Sequence, residues 1–381
     1  MNRYLLWSII FFLFLGTGSV QPYINPYLKD ILKLPYLKFS SILAVVYFSM
    51  SFSRIIIPQI LKKIGLKKGI ILGSFSYFLF GFIFFLTKNY ICFLFASIFW
   101  GIGAATFWTS YLTFLLKIVP EEKYGVENGI VRIFLQTGLV CGFLFLGQVL
   151  IFSGYKQIFL FASIFSFCSF FISHFLKEKK KDFTIPSFSK FIFSNKLFHF
   201  SIAMFIASIG YGIVLNFMNH YIIENFGKNF LNKTLVFFYI SAGTLGYVGG
   251  KFIDKTGENK ICSLFFFLSG FILVLFSIFP SLPMVVFSLL LLGGLFEIVP
   301  IASTVRIGKI ILTEEKSSAL AAIFFWRDIG IASGIIFLGY IRDLLSYNKG
   351  FLICGFIFLF FSLFFFLKTH SEPILNQGVV K

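Results

Sequence analysis

Charge is what this sequence has least of. Asp, Glu, Lys and Arg make up 13% of its 381 residues, roughly half the share of a soluble globular chain. Acids are scarcer than bases, 15 against 33. Apolar residues reach 58%, with Phe alone at 60 positions. No soluble core of this length hides so much, so lipid is the solvent for most of the chain. The net charge of +18 does not make a nucleic-acid protein, because the bases fall between apolar runs and never form a stripe interleaved with polar surface. Histidine is rare, with four in all, and the five cysteines (Cys92, Cys141, Cys168, Cys262, Cys354) lie in or beside apolar runs without CxxC spacing. That pattern excludes a metal centre and a disulfide framework and leaves small buried hydrophobes as the expected role. HExxH, GxSxG and GxxxxGK[ST] are all missing, so neither hydrolase chemistry nor direct use of ATP is supported. Neither an enzyme nor a cofactor is expected.

What the sequence has is long apolar runs. Twelve candidate spans lie near 4–24, 39–61, 69–87, 90–116, 126–153, 155–176, 197–223, 234–253, 261–280, 283–309, 317–345 and 349–367. The runs are continuously apolar rather than alternating, which selects helices over barrel strands. The first is too long, and too poor in small residues at its end, for a cleaved signal peptide. With both termini cytoplasmic, 21 of the 33 bases fall on the inner side and nine on the outer; the positive-inside rule favours that orientation in a cell inner membrane. The longest inner connection, 177–196, carries KEKKKD and separates a six-helix bundle at 1–176 from another at 197–381. A solvated tether is expected there, with an amphipathic surface helix as the alternative.

A shift of 192 residues superimposes the halves. Gly65 falls on Gly257, Gly101 on Gly293, Gly138, Gly142 and Gly147 on Gly330, Gly334 and Gly339, and Tyr155 on Tyr347. An even number of spans per half gives both repeats the same orientation, packed about an axis along the membrane normal. After the eighth span the chain reads Gly250-Lys-Phe-Ile-Asp254-Lys255-Thr-Gly257-Glu-Asn-Lys260. This loop, the span count and the repeat together resemble the major facilitator superfamily over the whole chain. The resemblance implies an all-α fold of twelve transmembrane helices as two parallel six-helix repeats. It also implies that Gly250, Asp254, Lys255 and Gly257 form part of a cytoplasmic gate. Asp254 is expected near the amino end of the eleventh helix, where unpaired N–H groups favour an anion. The first half departs from the pattern, with Pro58 and Lys62 in place of the glycine and the acid; Glu127 is a candidate replacement for the missing acid.

Charges inside the spans need reasons, since each costs at least ~2.5–3.5 kcal/mol in hydrocarbon. Glu297, in the tenth span beside Gly293, Gly294 and Pro300, is the leading candidate for a proton carrier or substrate contact. Arg327 and Asp328 in the eleventh span lie at a similar depth, so a structural Glu297–Arg327 pair competes with that reading. Arg54 and Arg132 sit nearer the inner side and suit gate or interface pairing. Gln21 and Asn25 share a face on the first span, and Asn216, Asn219 and His220 share one on the seventh; both sets suit a polar solute or an outer gate. Trp100, Phe107 and Tyr111 form a stripe on the fourth span, serving packing or stacking on a ligand. The expected function is secondary active transport of a small organic solute by alternating access, with protons as a candidate coupling ion. The partners are then the bilayer, the solute and protons, not nucleic acid, and a monomer is expected. A non-transporting membrane assembly factor or sensor on the same fold is the alternative.

Overall fold

Helices dominate because only a helix satisfies every backbone N–H and C=O within one lipid-facing segment. The computed structural model describes residues 2–33, 36–178, 188–195, 197–344 and 346–371. In chain order its long helices are α1 (Asn2–Leu15), α2 (Tyr36–Ser53), α3 (Leu66–Leu86), α4 (Tyr90–Ile118), α5 (Tyr124–Ser153) and α6 (Tyr155–Ser173). They are followed by α7 (Phe198–Gly212), α8 (Lys228–Thr256), α9 (Glu258–Ile278), α10 (Leu282–Ile310), α11 (Lys316–Leu344) and α12 (Tyr347–Ser371). Among the described residues nine helical stretches are long and apolar enough to cross a membrane, or ten when α2 and the bent segment after it are joined. Phe95, Phe152, Phe171, Phe271 and Phe360 stand exposed on outward faces. Such faces belong in lipid, and the chain is a multi-pass membrane protein.

The sequence repeat is a repeat of helix boundaries. Leu66–Leu86 and Glu258–Ile278 start and stop 192 residues apart, as do Tyr90–Ile118 and Leu282–Ile310. Gly65 and Gly257, which open α3 and α9, hold φ of 85° and 94°, a left-handed geometry that favours glycine. Packing follows suit. In one half α1 packs on α5, α2 on α4, and α3 on α4 and α6; in the other, α7 packs on α11, α8 on α10, and α9 on α10 and α12. Across the seam, α5 lies against α8 and α2 against α11, again equivalent pairs. The small-residue stretches serve close packing inside each half: Gly138 and Gly142 face Phe11, Leu15 and Ser19, while Gly330 and Gly334 face Phe205, Ser208 and Ile209.

Two features break regularity. The first helix of each half is discontinuous. α1 gives way to a 3-10 turn, Thr17–Val20, and a short helix, Gln21–Pro26; α7 passes into a π turn, Ile213–Met218, and then Asn219–Phe226. The freed groups at the first break are met by neighbours: the Thr17 N–H donates to Ser166 Oγ at 2.9 Å and Thr17 Oγ1 donates to the Tyr77 carbonyl at 2.7 Å. The second feature separates the halves. α2 bends by 68° into Ile57–Ile64, whereas α8 runs unbroken to Thr256. Pro58 accounts for the bend, since it has no N–H to donate and its ring crowds the preceding turn; its repeat mate is Gly250.

Residues 179–187 and 196 of the inner connection lie outside the described residues. The end of it is no solvated tether. Phe188 and Phe191 are buried, Phe188 packs on Phe325 of α11 at 5.7 Å, and Trp326 Nε1 donates to the Ile192 carbonyl at 3.2 Å. Not every cysteine is buried either: Cys92 and Cys141 are exposed, on lipid-facing helices.

Candidate functional site

Two buried ion pairs cross the seam between the halves. Arg54, in the bend just after α2, donates through Nε to Asp328 of α11 at 2.5 Å, with both side chains fully buried, and through Nη1 to Thr109 of α4 at 3.3 Å. Arg132 of α5 brings Nε within 3.0 Å of Glu297 Oε2 on α10; both side chains are 2% exposed. The Arg132–Glu297 contact is ionic rather than a well-aimed hydrogen bond, since neither atom has a hydrogen-bond partner. The aimed bond to Glu297 comes from Gln136, whose Nε2 donates to Oε1 at 2.7 Å. In both pairs the cation comes from the first half and the anion from the second. Their common depth follows from the repeat, because Gln136 and Asp328 are 192 residues apart.

The expected Glu297–Arg327 pair is not formed. Arg327 turns instead to aromatic rings, with its guanidinium carbon 5.2 Å from the centre of Phe296 and 5.6 Å from that of Phe324. Equal depth on two helices does not fix rotation about their axes, and α5, not α11, presents its cation to Glu297. Trp108 lies over Arg132 at 5.3 Å. Tyr211 stacks on Phe296 at 4.1 Å, and Tyr47 donates to Gln21 Oε1 at 3.4 Å. Trp108, Gln136, Tyr47, Tyr211 and Phe296 had not stood out in the sequence. Only Gln136 carried a signal, being one helical turn beyond Arg132 on the same face.

Asp254 does reach a helix amino end, but that of α5 rather than α11. Its two carboxylate oxygens accept from the Gly125 and Val126 N–H groups, each at 2.9 Å. A two-fold relation between repeats sets α8 beside α5, so the last turns of α8 meet the amino end of α5. Gly250 and Gly125 make the approach possible, since a side chain on either would collide with the other's carbonyl oxygen. Lys255 is exposed and Gly257 closes the turn. Glu127 does not supply the acid missing from the first half: it pairs with Arg3 at 2.8 Å. A different acid caps α3, where the Leu66 and Lys67 N–H groups donate to Glu178 at 3.1 and 2.9 Å.

The aromatic stripe on α4 faces into its own half. Trp100 packs on Phe80 at 4.2 Å and Tyr77 at 5.4 Å of α3, and Tyr111 is buried with its hydroxyl donating to the Leu6 carbonyl at 2.9 Å. Those contacts are to α3 and α1, inside the first half. Gln21 lies just past the break in α1, half-buried. The backbones of Asn25, Asn216, Asn219 and His220 fall in the short helices and π turn at the two breaks; their side chains lie outside the described residues. No three His, Cys, Asp or Glu side chains gather as metal ligands would, among the described residues.

Comparison with known proteins agrees with this architecture. The family profile described as Major Facilitator Superfamily matches residues 6–335 and again 200–379. No curated protein sequence matches the chain. Among solved structures, the E. coli fucose:proton symporter FucP in its outward conformation is similar with a TM-score of 0.77 at 18% identity, over 98% of this chain and 99% of that one. The human organic anion transporter MFSD10 (TETRAN) is similar with a TM-score of 0.80 at 11% identity, over 96% and 98%.

Proposed function

Because this chain belongs to the Major Facilitator Superfamily, we propose that it is a secondary active transporter of a small organic solute. It works by rocking residues 1–176 against 197–381 about the seam, exposing a site between them to one side and then the other. The observation that carries this reading is the placement of two buried ion pairs, Arg54–Asp328 and Arg132–Glu297, across the seam. A buried charge is costly unless paired. Each half therefore contributes charges it cannot shelter alone, and opening the seam on one side exchanges ionic partners for water or solute. Alternating access requires two arrangements of comparable energy, and exchange of ionic partners for water or solute is how this seam would supply the second.

Protons are the coupling ion in this reading, with Glu297 as their carrier. A proton on Glu297 removes the charge that holds Arg132, so protonation and seam opening are linked. The Asp254 clamp then closes the basic end, the end carrying Lys62–Lys68 and Lys251–Lys260, while the site faces the other way. That end is cytoplasmic in this reading, with both termini inside and the protein a monomer in the inner membrane.

Reconstitution tests it. Purified protein in lipid vesicles is offered radiolabelled organic acids, amines and sugars under an imposed pH gradient. At least one class should accumulate above empty vesicles and be lost with a protonophore. An impermeant maleimide should reach a cysteine at Asn195 only from the basic side. Correctly inserted protein that accumulates none of the classes would sink the transporter reading.

A further inference from the structure

Around the seam the charges do not cancel. Around the two buried pairs, among the described residues, Arg54, Arg132 and Arg327 stand against Asp328 and Glu297, leaving one cation in excess. Each carboxylate already faces a cation other than Arg327: Asp328 faces Arg54, and Glu297 faces Arg132 and accepts from Gln136. Arg327 has no hydrogen bond or ion pair among the described residues, and its buried Nε is without a partner. It lies within electrostatic reach of Arg54 and Arg132, both of which it repels. A half-buried guanidinium held beside two like charges is a cost to the fold.

Its surroundings suit a ligand better than they suit a missing structural partner. The Phe296 and Phe324 rings hold the guanidinium from two helices. Tyr211 stacks on Phe296 at 4.1 Å, and Tyr47, whose hydroxyl donates to Gln21, lies within electrostatic reach of the guanidinium. A planar fork of N–H donors set between aromatic faces matches a carboxylate or phosphate on a small, partly apolar body. The position is on α11 where it meets α10, beside the ion pairs that open and close the seam, so an anion here alters their balance directly.

We propose that Arg327 binds the acidic group of the transported solute, and that the substrate is a small organic anion. This rests on the transporter reading for the word transported, but the binding stands apart from it. An anion neutralises the excess charge and relieves the repulsion on Arg54 and Arg132, so occupancy favours the closed seam. The solute is then coupled to the conformational change through electrostatics, without needing contact with Glu297.

The test is melting of the detergent-solubilised full chain with matched probes: benzoate and benzamide, lactate and lactamide, glycerol 3-phosphate and glycerol. At least one anion should raise the melting temperature in a saturable way while its neutral partner does not; which pair responds separates carboxylate from phosphate. Arg327→Gln should weaken that anion at least ~10-fold, and Arg327→Lys should retain part of the affinity as a point charge. Without ligand, Arg327→Gln should melt no lower than the parent, since no partner is orphaned. Equal response to anions and neutral partners, an unchanged response in Arg327→Gln, or no response to any anion overturns the proposal. Uptake of a neutral solute with Arg327→Gln fully active would overturn it while leaving the transporter reading intact.

Discussion

At Glu297 a carboxylate faces two partners of unequal kind, a guanidinium at ion-pair distance and an amide in a well-aimed hydrogen bond. The sequence made this residue conspicuous, because an acid between Gly293 and Pro300 in an apolar helix has few structural uses. It did not identify the partner, because helical depth is legible and helical rotation is not. Changing Glu297 to Gln keeps shape and much of the hydrogen bonding but leaves Arg132 a buried, unpaired cation. Breaking a buried pair from one side costs ~3–5 kcal/mol. Glu297→Gln should therefore melt well below the parent, and Glu297→Gln with Arg132→Gln should recover most of the loss. Arg327→Gln should not rescue it, since Arg327 is no partner of Glu297. Melting temperatures of the three variants decide the matter; rescue by Arg327→Gln rather than Arg132→Gln would contradict the pairing.

At the scale of helices, the ends were legible because the chain prints them in glycine. Gly65 and Gly257 mark the starts of α3 and α9 by the left-handed geometry they adopt. The α2 bend was foreshadowed by Pro58, yet the breaks in α1 and α7 were not read, since apolar runs hide a local change of hydrogen-bond pattern. The Asp254 loop was legible as a clamp but not in its target: α5 and α11 are repeat mates with equivalent amino ends, and only the arrangement of the halves chooses between them. Two charge-assisted bonds to backbone N–H groups are worth about 1.5–3 kcal/mol each. Asp254→Asn gives up the charge and one of its two acceptor oxygens. It should shift the population away from the closed basic end by at least ~10-fold without loss of folding. Spin labels on cysteines at Lys123 and Lys255, which are exposed on either side of the clamp, should report a longer, broader distance distribution. An unchanged distribution would remove Asp254 from the gate.

For the whole molecule, the repeat is the feature that sequence and structure share most fully, and it also sets what alternation demands. Two equivalent seams, α5 against α8 and α2 against α11, let the halves pivot about the paired charges between them. The seams are not equal at the basic end. The α8 side carries Gly250, Asp254 and a straight helix, whereas the α2 side carries Pro58, Lys62 and a 68° bend. Closure there rests on the Asp254 clamp together with Lys316, whose Nζ donates to the Tyr124 hydroxyl across the seam at 3.2 Å, so covalently fixing the clamp should fix the molecule in one state. A short reducible cross-link between Lys123→Cys and Lys255→Cys, in a background without the native cysteines, should stop uptake in vesicles almost completely. Anion binding from the opposite side should survive, because the site stays exposed to it, and reduction should restore uptake. Transport that continues at the parent rate with the cross-link verified by mass would mean the basic end need not open. In that case rocking about this seam is not the transport mechanism.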